Sequence, residues 1–191
     1  MKKLAILFPG IGYHKDKPLL YYAGKLARTS GYEVMSVAYH DIEKKLEDPE
    51  VMKKGVKKAY AQVEEQLSGV NLADYDDILF IGKSIGTIVL AKYASDHDIK
   101  AKQIWYTPLE AAFKYAKENI LAFIGDADPC SDYEKVKKLA GKKKVTLYTY
   151  HGCNHSLESG AVLSDIKVLA DVMDKTEEYI NETYSEAVAV T

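Results

Sequence analysis

The stretch Ile78-Leu79-Phe80-Ile81-Gly82-Lys83-Ser84-Ile85-Gly86-Thr87 constrains this chain more than any other. An apolar run stops abruptly at Gly-Lys-Ser-Ile-Gly, and a helix-like apolar pattern resumes at Ile88. Strand, sharp turn and helix in direct succession force the residue at the tip into a strained backbone conformation. Gly82 and Gly86 lack side chains where the strand and helix backbones crowd that turn. The pattern predicts that the Ser84 hydroxyl stands above the carboxyl edge of a sheet, with the amide of Ile85 aimed at the same point. Ser84 is read as a nucleophile.

Gly82-Lys83-Ser84 also ends a Walker-type motif, but that motif requires a glycine five positions before Gly82, where Asp77 stands. Gly82 follows the apolar run directly and leaves no loop to wrap a phosphate. Nucleotide binding is set aside, and Lys83 reads as a solvated residue of the turn.

The remaining elements alternate. Lys3 to Phe8 reads as a buried strand cut off by Pro9-Gly10-Ile11-Gly12. A helix capped by Asp16, with Pro18 in its first turn, runs through Leu19, Leu20, Ala23, Leu26 and Ala27 to Gly31. Tyr32 to Tyr39 is rich in β-formers, and His40 to Pro49 is a charged connection. From Glu50 a polar helix carries Val51, Val56, Ala59, Tyr60, Val63 and Leu67 on one stripe. Strands follow at Ile78–Ile81, Gln103–Thr107, Ile120–Ile124 and Lys144–Tyr150, separated by a helix after Ser84, a short helix or turn at Glu110–Lys117 and a helix at Asp132–Ala140. A closing helix carries Val162, Ile166, Leu169, Met173, Tyr179 and Ile180, and Ser185 to Thr191 reads as a frayed tail. Short apolar strands alternating with amphipathic helices predict one α/β domain over residues 1–191, its sheet mostly parallel and covered on both faces.

Composition narrows the partners. The net charge of −2 is spread over interspersed lysines and carboxylates, so neither nucleic acid nor an anionic membrane surface is expected. No apolar run approaches the about 18 residues of a membrane span, and the apolar run after Lys3 is too short for a signal peptide. Two cysteines, Cys130 and Cys153, make no disulfide framework, which points to a reducing cytoplasm. They define no metal site either and read as two small, partly buried residues.

In a parallel sheet, the loops at the carboxyl ends of the strands converge on one edge. Four of them carry what acyl transfer needs. A serine needs a base to remove its proton, and His155 in the loop after the last strand is the candidate. The imidazole needs a carboxylate to hold its tautomer. Asp128, in the loop after the preceding strand, is preferred over Asp126. The oxyanion hole would combine the backbone N–H of Ile85 with that of Ile11 or, second, Gly12. Tyr13, on the same loop, is the preferred pocket residue among Tyr13, Tyr21, Tyr22, Trp105 and Tyr106. His14 is expected in solvent.

Pro9-Gly10-Ile11-Gly12-Tyr13, Gly82-Lys83-Ser84-Ile85-Gly86, Gly125-Asp126-Ala127-Asp128-Pro129 and Gly152-Cys153-Asn154-His155 together resemble a small dienelactone-hydrolase-like α/β-hydrolase, in the family's order and over nearly the whole chain. The resemblance implies a three-layer α/β-hydrolase fold with a minimal sheet of about six strands. It implies a serine hydrolase that needs no cofactor and acts on esters, thioesters or related small acyl compounds. Two departures stand out. Only about a dozen residues separate Pro108 from Ile120, where relatives often insert a cap, so no cap domain is expected. The antiparallel hairpin that often opens the family's sheet has no counterpart before Lys3. The competing reading is a non-catalytic member of the fold that binds a ligand or partner at the same edge.

Overall fold

The computed structural model describes residues 1–43 and 48–182. Among them, six strands form one parallel sheet in the order β2-β1-β3-β4-β5-β6. The strands are β1 (Lys3–Phe8), β2 (Glu33–Ser36), β3 (Asp77–Lys83), β4 (Lys102–Tyr106), β5 (Ile120–Gly125) and β6 (Thr146–Tyr150). The helices are α1 (Pro18–Thr29), α2 (Pro49–Leu67), α3 (Ile85–Asp96), α4 (Tyr133–Lys143) and α5 (Val162–Asn181). No helix among the described residues is long and apolar enough to cross a membrane.

Strand side chains alternate between two cores because successive Cβ atoms point to opposite faces. Leu4, Ile6, Phe8, Phe80, Trp105, Ala122 and Ile124 pack with α2, α3 and α4. Ala5, Leu7, Leu79, Ile81, Ile104, Tyr106, Leu121 and Phe123 pack with α1 and α5. Both faces are covered, which explains why the central strands read as continuous apolar runs. Trp105 and Tyr106 are fully buried in these cores.

β1 pairs with β2 on one side and β3 on the other, so the chain reverses its direction of winding there. Open α/β sheets place ligands at such a switch point, beyond the carboxyl ends of the strands. Between β4 and β5 stand only a 3-10 helix (Glu110–Lys114) and short turns, with no cap.

Three expectations need correction. Asp16 does not cap α1: the N-cap position is Lys17, and Asp16 is exposed and bonded to Lys15. The Tyr13 hydroxyl takes that part instead, accepting from the Leu19 amide at 3.1 Å. β2 stops at Ser36 rather than Tyr39, because its last partner on β1 is Leu7 and the ladder cannot continue past Pro9. Beyond it, the Ala38 and His40 backbones bond to the Gln66 and Gln62 side chains of α2. Lys83 is not solvated but 3% exposed. The expected tail, Ser185 to Thr191, and part of the charged connection lie outside the described residues.

Backbone packs closely against Gly86. A Cβ built there would stand 2.1 Å from the Phe8 carbonyl oxygen and 2.7 Å from that of Pro9. Gly86→Ala would have to push α3 off the end of β1, and backbone cannot yield as a side chain does. A loss of about 3 kcal/mol in urea-unfolding stability is expected.

Candidate active site

Ser84 occupies the tip of the β3–α3 turn with φ 56° and ψ −124°. This is a region that residues with a Cβ enter only under strain. Three hydrogen bonds hold it there. The Ser84 amide donates to the Tyr106 carbonyl on β4 at 3.0 Å, and the Ser84 carbonyl accepts from the Thr87 amide at 2.9 Å and the Thr87 hydroxyl at 2.7 Å.

His155 and Asp128 reach the same point from neighbouring loops. His155 Nε2 lies 2.8 Å from Ser84 Oγ, and Nδ1 lies 2.7 Å from Asp128 Oδ2. The second Asp128 oxygen accepts from the Cys130 amide at 2.8 Å, and the Asp128 side chain is fully buried. A carboxylate can only accept, so Nδ1 carries the proton and Nε2 is left to accept from the serine hydroxyl. Desolvation pushes the His155 pKa below its ordinary 6.5, and the nearby Lys83 charge acts in the same direction. The bond to Asp128 opposes both.

Asp126 serves another histidine. It accepts from His151 Nδ1 at 2.7 Å and from the Gly152 amide at 2.6 Å, and the His151 bond holds its carboxyl below the usual range. It braces the start of the loop rather than its imidazole. Sequence reasoning gave Asn154 no part, yet its side chain accepts from the Ser156 and Glu158 amides at 2.7 and 3.2 Å and shapes the turn that presents His155. An asparagine beside the histidine in a loop was the available signal.

The loop after β1 lies against the elbow. Gly10 and Tyr13 close a turn through reciprocal backbone bonds of 3.0 and 3.3 Å, leaving Ile11 and Gly12 at its tip, the latter at φ 76°. The Ile85 amide belongs to the first turn of α3, where no intrahelical acceptor exists. Tyr13 is buried, and burial pushes its phenol up to about 12. It borders a cavity of about 410 Å³ with Leu19, Leu157, Ile166 and Leu169, while Gly10, Ile11 and Gly12 border a second cavity of about 490 Å³ with Val37, Tyr39 and Ile42. His14 is exposed at the rim of the second cavity.

Cys153 is buried, and Cys130 is exposed beside the site. Asp128, Cys130 and His155 bring potential metal-ligating atoms within 4.8 Å of one another. Asp128 and His155 are already committed to each other and to Ser84, and the Lys83 ammonium nearby opposes a bound cation.

No protein-family model and no curated protein sequence matches the chain. Solved structures do. Est1E from Butyrivibrio proteoclasticus aligns with a TM-score of 0.66 and 14% identity over 95% of this chain and 89% of its own. A serine hydrolase without a lid from Xanthomonas campestris aligns with a TM-score of 0.62 and 15% identity, over 95% of this chain and 84% of that one. The chain has the α/β-hydrolase fold. An α/β serine hydrolase homologue from Coxiella burnetii shares this α/β-hydrolase fold with it at a TM-score of 0.55 and 18% identity, over 89% and 84% of the two chains.

The strain at Ser84 can be measured apart from any chemistry. Ser84→Gly and Ser84→Ala both remove the hydroxyl, but only glycine relieves the positive φ. The glycine variant should be about 1 kcal/mol more stable than the alanine variant in denaturant unfolding.

Proposed function

We propose that this protein is a serine hydrolase that cleaves a carboxylic ester, thioester or related acyl bond through an acyl-enzyme on Ser84. The observation that carries the reading is the hydrogen-bonded chain from Ser84 Oγ through His155 to the buried Asp128. His155 takes the hydroxyl proton as Oγ attacks the acyl carbon, then passes it to the leaving group. The Ile85 amide and one from Ile11 or Gly12 stabilise the tetrahedral oxyanion. Water, deprotonated by the same imidazole, releases the acid. Asp128 keeps Nδ1 protonated and balances the charge that His155 carries at each transition state.

Binding without turnover at the same edge is the rival, and a panel of chromogenic esters and thioesters separates the two. Est1E has been solved with ferulic acid bound, so an aromatic acyl ester belongs in the panel beside short-chain ones. Ser84→Ala should reduce kcat to background while leaving the thermal transition in place. Asp128→Asn should lower kcat by about 10⁴-fold by reversing the imidazole tautomer. Asp126→Asn should leave kcat within about threefold, because Asp126 holds His151 and not His155. Equal losses from the two Asn variants would contradict the assignment of the acid.

The pH profile follows from the lowered pKa of His155. The neutral imidazole is the active base, so activity rises with pH through that pKa. Because it lies below 6.5, the midpoint of the rise should fall below pH 6.5. An acid limb centred above 6.5 would contradict the reading.

A further inference from the structure

Lys83 is the part of the elbow that the proposed chemistry leaves unused. Burying an ammonium is costly, and a chain that needed only volume at this position could place methionine or leucine there. Lys83 ends β3, on the face that carries Leu79 and Ile81 towards α1 and α5. Its stem passes under the loop after β1: a Cβ on Gly10 would stand 3.1 Å from Lys83 Cδ and 3.3 Å from Ser84 Cβ. Its Nζ lies 5.0 Å from the centre of the Tyr13 ring. Gly10 and Tyr13 are the two ends of the turn that presents the Ile11 and Gly12 amides, and Tyr13 is anchored in turn to the start of α1 through Leu19. One side chain, bonded through the backbone to the nucleophile, therefore touches both ends of the oxyanion loop.

We propose that Lys83 is a positioning residue that locks the Gly10–Tyr13 turn to the elbow and sets a fixed positive charge beside His155 and Asp128. This inference rests on the hydrolase reading for the meaning of the loop, but not for the placement of the charge. A desolvated cation on an aromatic face is the strong form of that contact. The groups facing His155 are the Ser84 hydroxyl, the Asp128 carboxylate, the Cys130 thiol and Lys83. Those facing Lys83 are Asp128, Cys130, His155 and the Tyr13 ring, whose phenol also feels Glu158. Burial pushes the Lys83 amine down to about 8, against the pull of Asp128 and Cys130. Lysine is charged below its pKa, so a neutral His155 and a charged Lys83 coexist only between the lowered histidine pKa and about pH 8. Activity should fall again as pH rises through that upper limit.

The test compares the wild type with Lys83→Met and Lys83→Arg, by ester hydrolysis from pH 5 to 10, thermal unfolding, and NMR titration of the His155 ring. Lys83→Met should lower kcat by about 10- to 100-fold with little change in KM. It should remove the alkaline limb, move the His155 titration to higher pH, and leave the melting temperature equal or raised. Lys83→Arg keeps the charge at every pH in the range, so it too should lose the alkaline limb while its His155 titration stays near that of the wild type. A Met variant with wild-type kcat and pH profile overturns the proposal, as does one whose rate loss is matched by a fall in melting temperature. If the wild type hydrolyses neither esters nor thioesters of the panel, the hydrolase reading fails by itself. The NMR arm then decides for Lys83, and an unmoved His155 titration overturns it. Should the Met variant fail to fold, an alkaline limb that persists in the Arg variant does the same.

Discussion

The site depends on one contact, the approach of α3 to the end of β1 at Gly86. Phe8 and Pro9 carbonyl oxygens sit where a side chain on residue 86 would be. On the strand side of the turn, a Cβ on Gly82 would stand 2.2 Å from Leu90 Cδ2. The helix can begin directly after the strand only because both positions are bare, and Ser84 absorbs the resulting bend at φ 56°. The same approach brings the loop after β1 over the serine, so elbow strain and loop placement have a single cause.

The loops after β5 and β6 are joined just as closely. A Cβ on Gly125 would fall 1.9 Å from the Cys153 carbonyl oxygen, which also accepts from the Ala127 amide at 3.1 Å. With the loops clamped there, two carboxylates two residues apart serve two histidines. Asp126, partly exposed, braces His151, which is almost wholly in solvent, while Asp128, fully buried, holds His155. An ion pair in solvent contributes little, whereas a buried carboxylate bonded through both oxygens fixes the orientation of the imidazole that it holds.

Much of this was legible in the chain because it rests on local rules. Apolar runs of strand length, a glycine pair around Ser84 and the order of loops at strand ends point to the parallel sheet and its edge without reference to long-range contacts. What the sequence hid depends on which partner the folded backbone brings within reach. Asp16 has the side chain of a helix cap, but the Tyr13 hydroxyl reaches the Leu19 amide first. Tyr39 continues a β-rich run, yet β1 offers no partner beyond Leu7. Lys83 looks like a solvent residue of a turn, and only the fold shows the strand alternation driving it inward under Gly10 and over Tyr13. Charge in a sequence marks where water is wanted on average, and functional edges of sheets are where that average fails.

The central claim is that Ser84 is an activated nucleophile, with His155 as the source of activation. Peptide mapping by mass spectrometry after treatment with a fluorophosphonate tests it without knowledge of the substrate. The account predicts one phosphonyl adduct per chain, on Ser84, formed at least about 100-fold more slowly in His155→Gln. An unlabelled Ser84 in the folded protein, or labelling that the histidine substitution leaves unchanged, would contradict it.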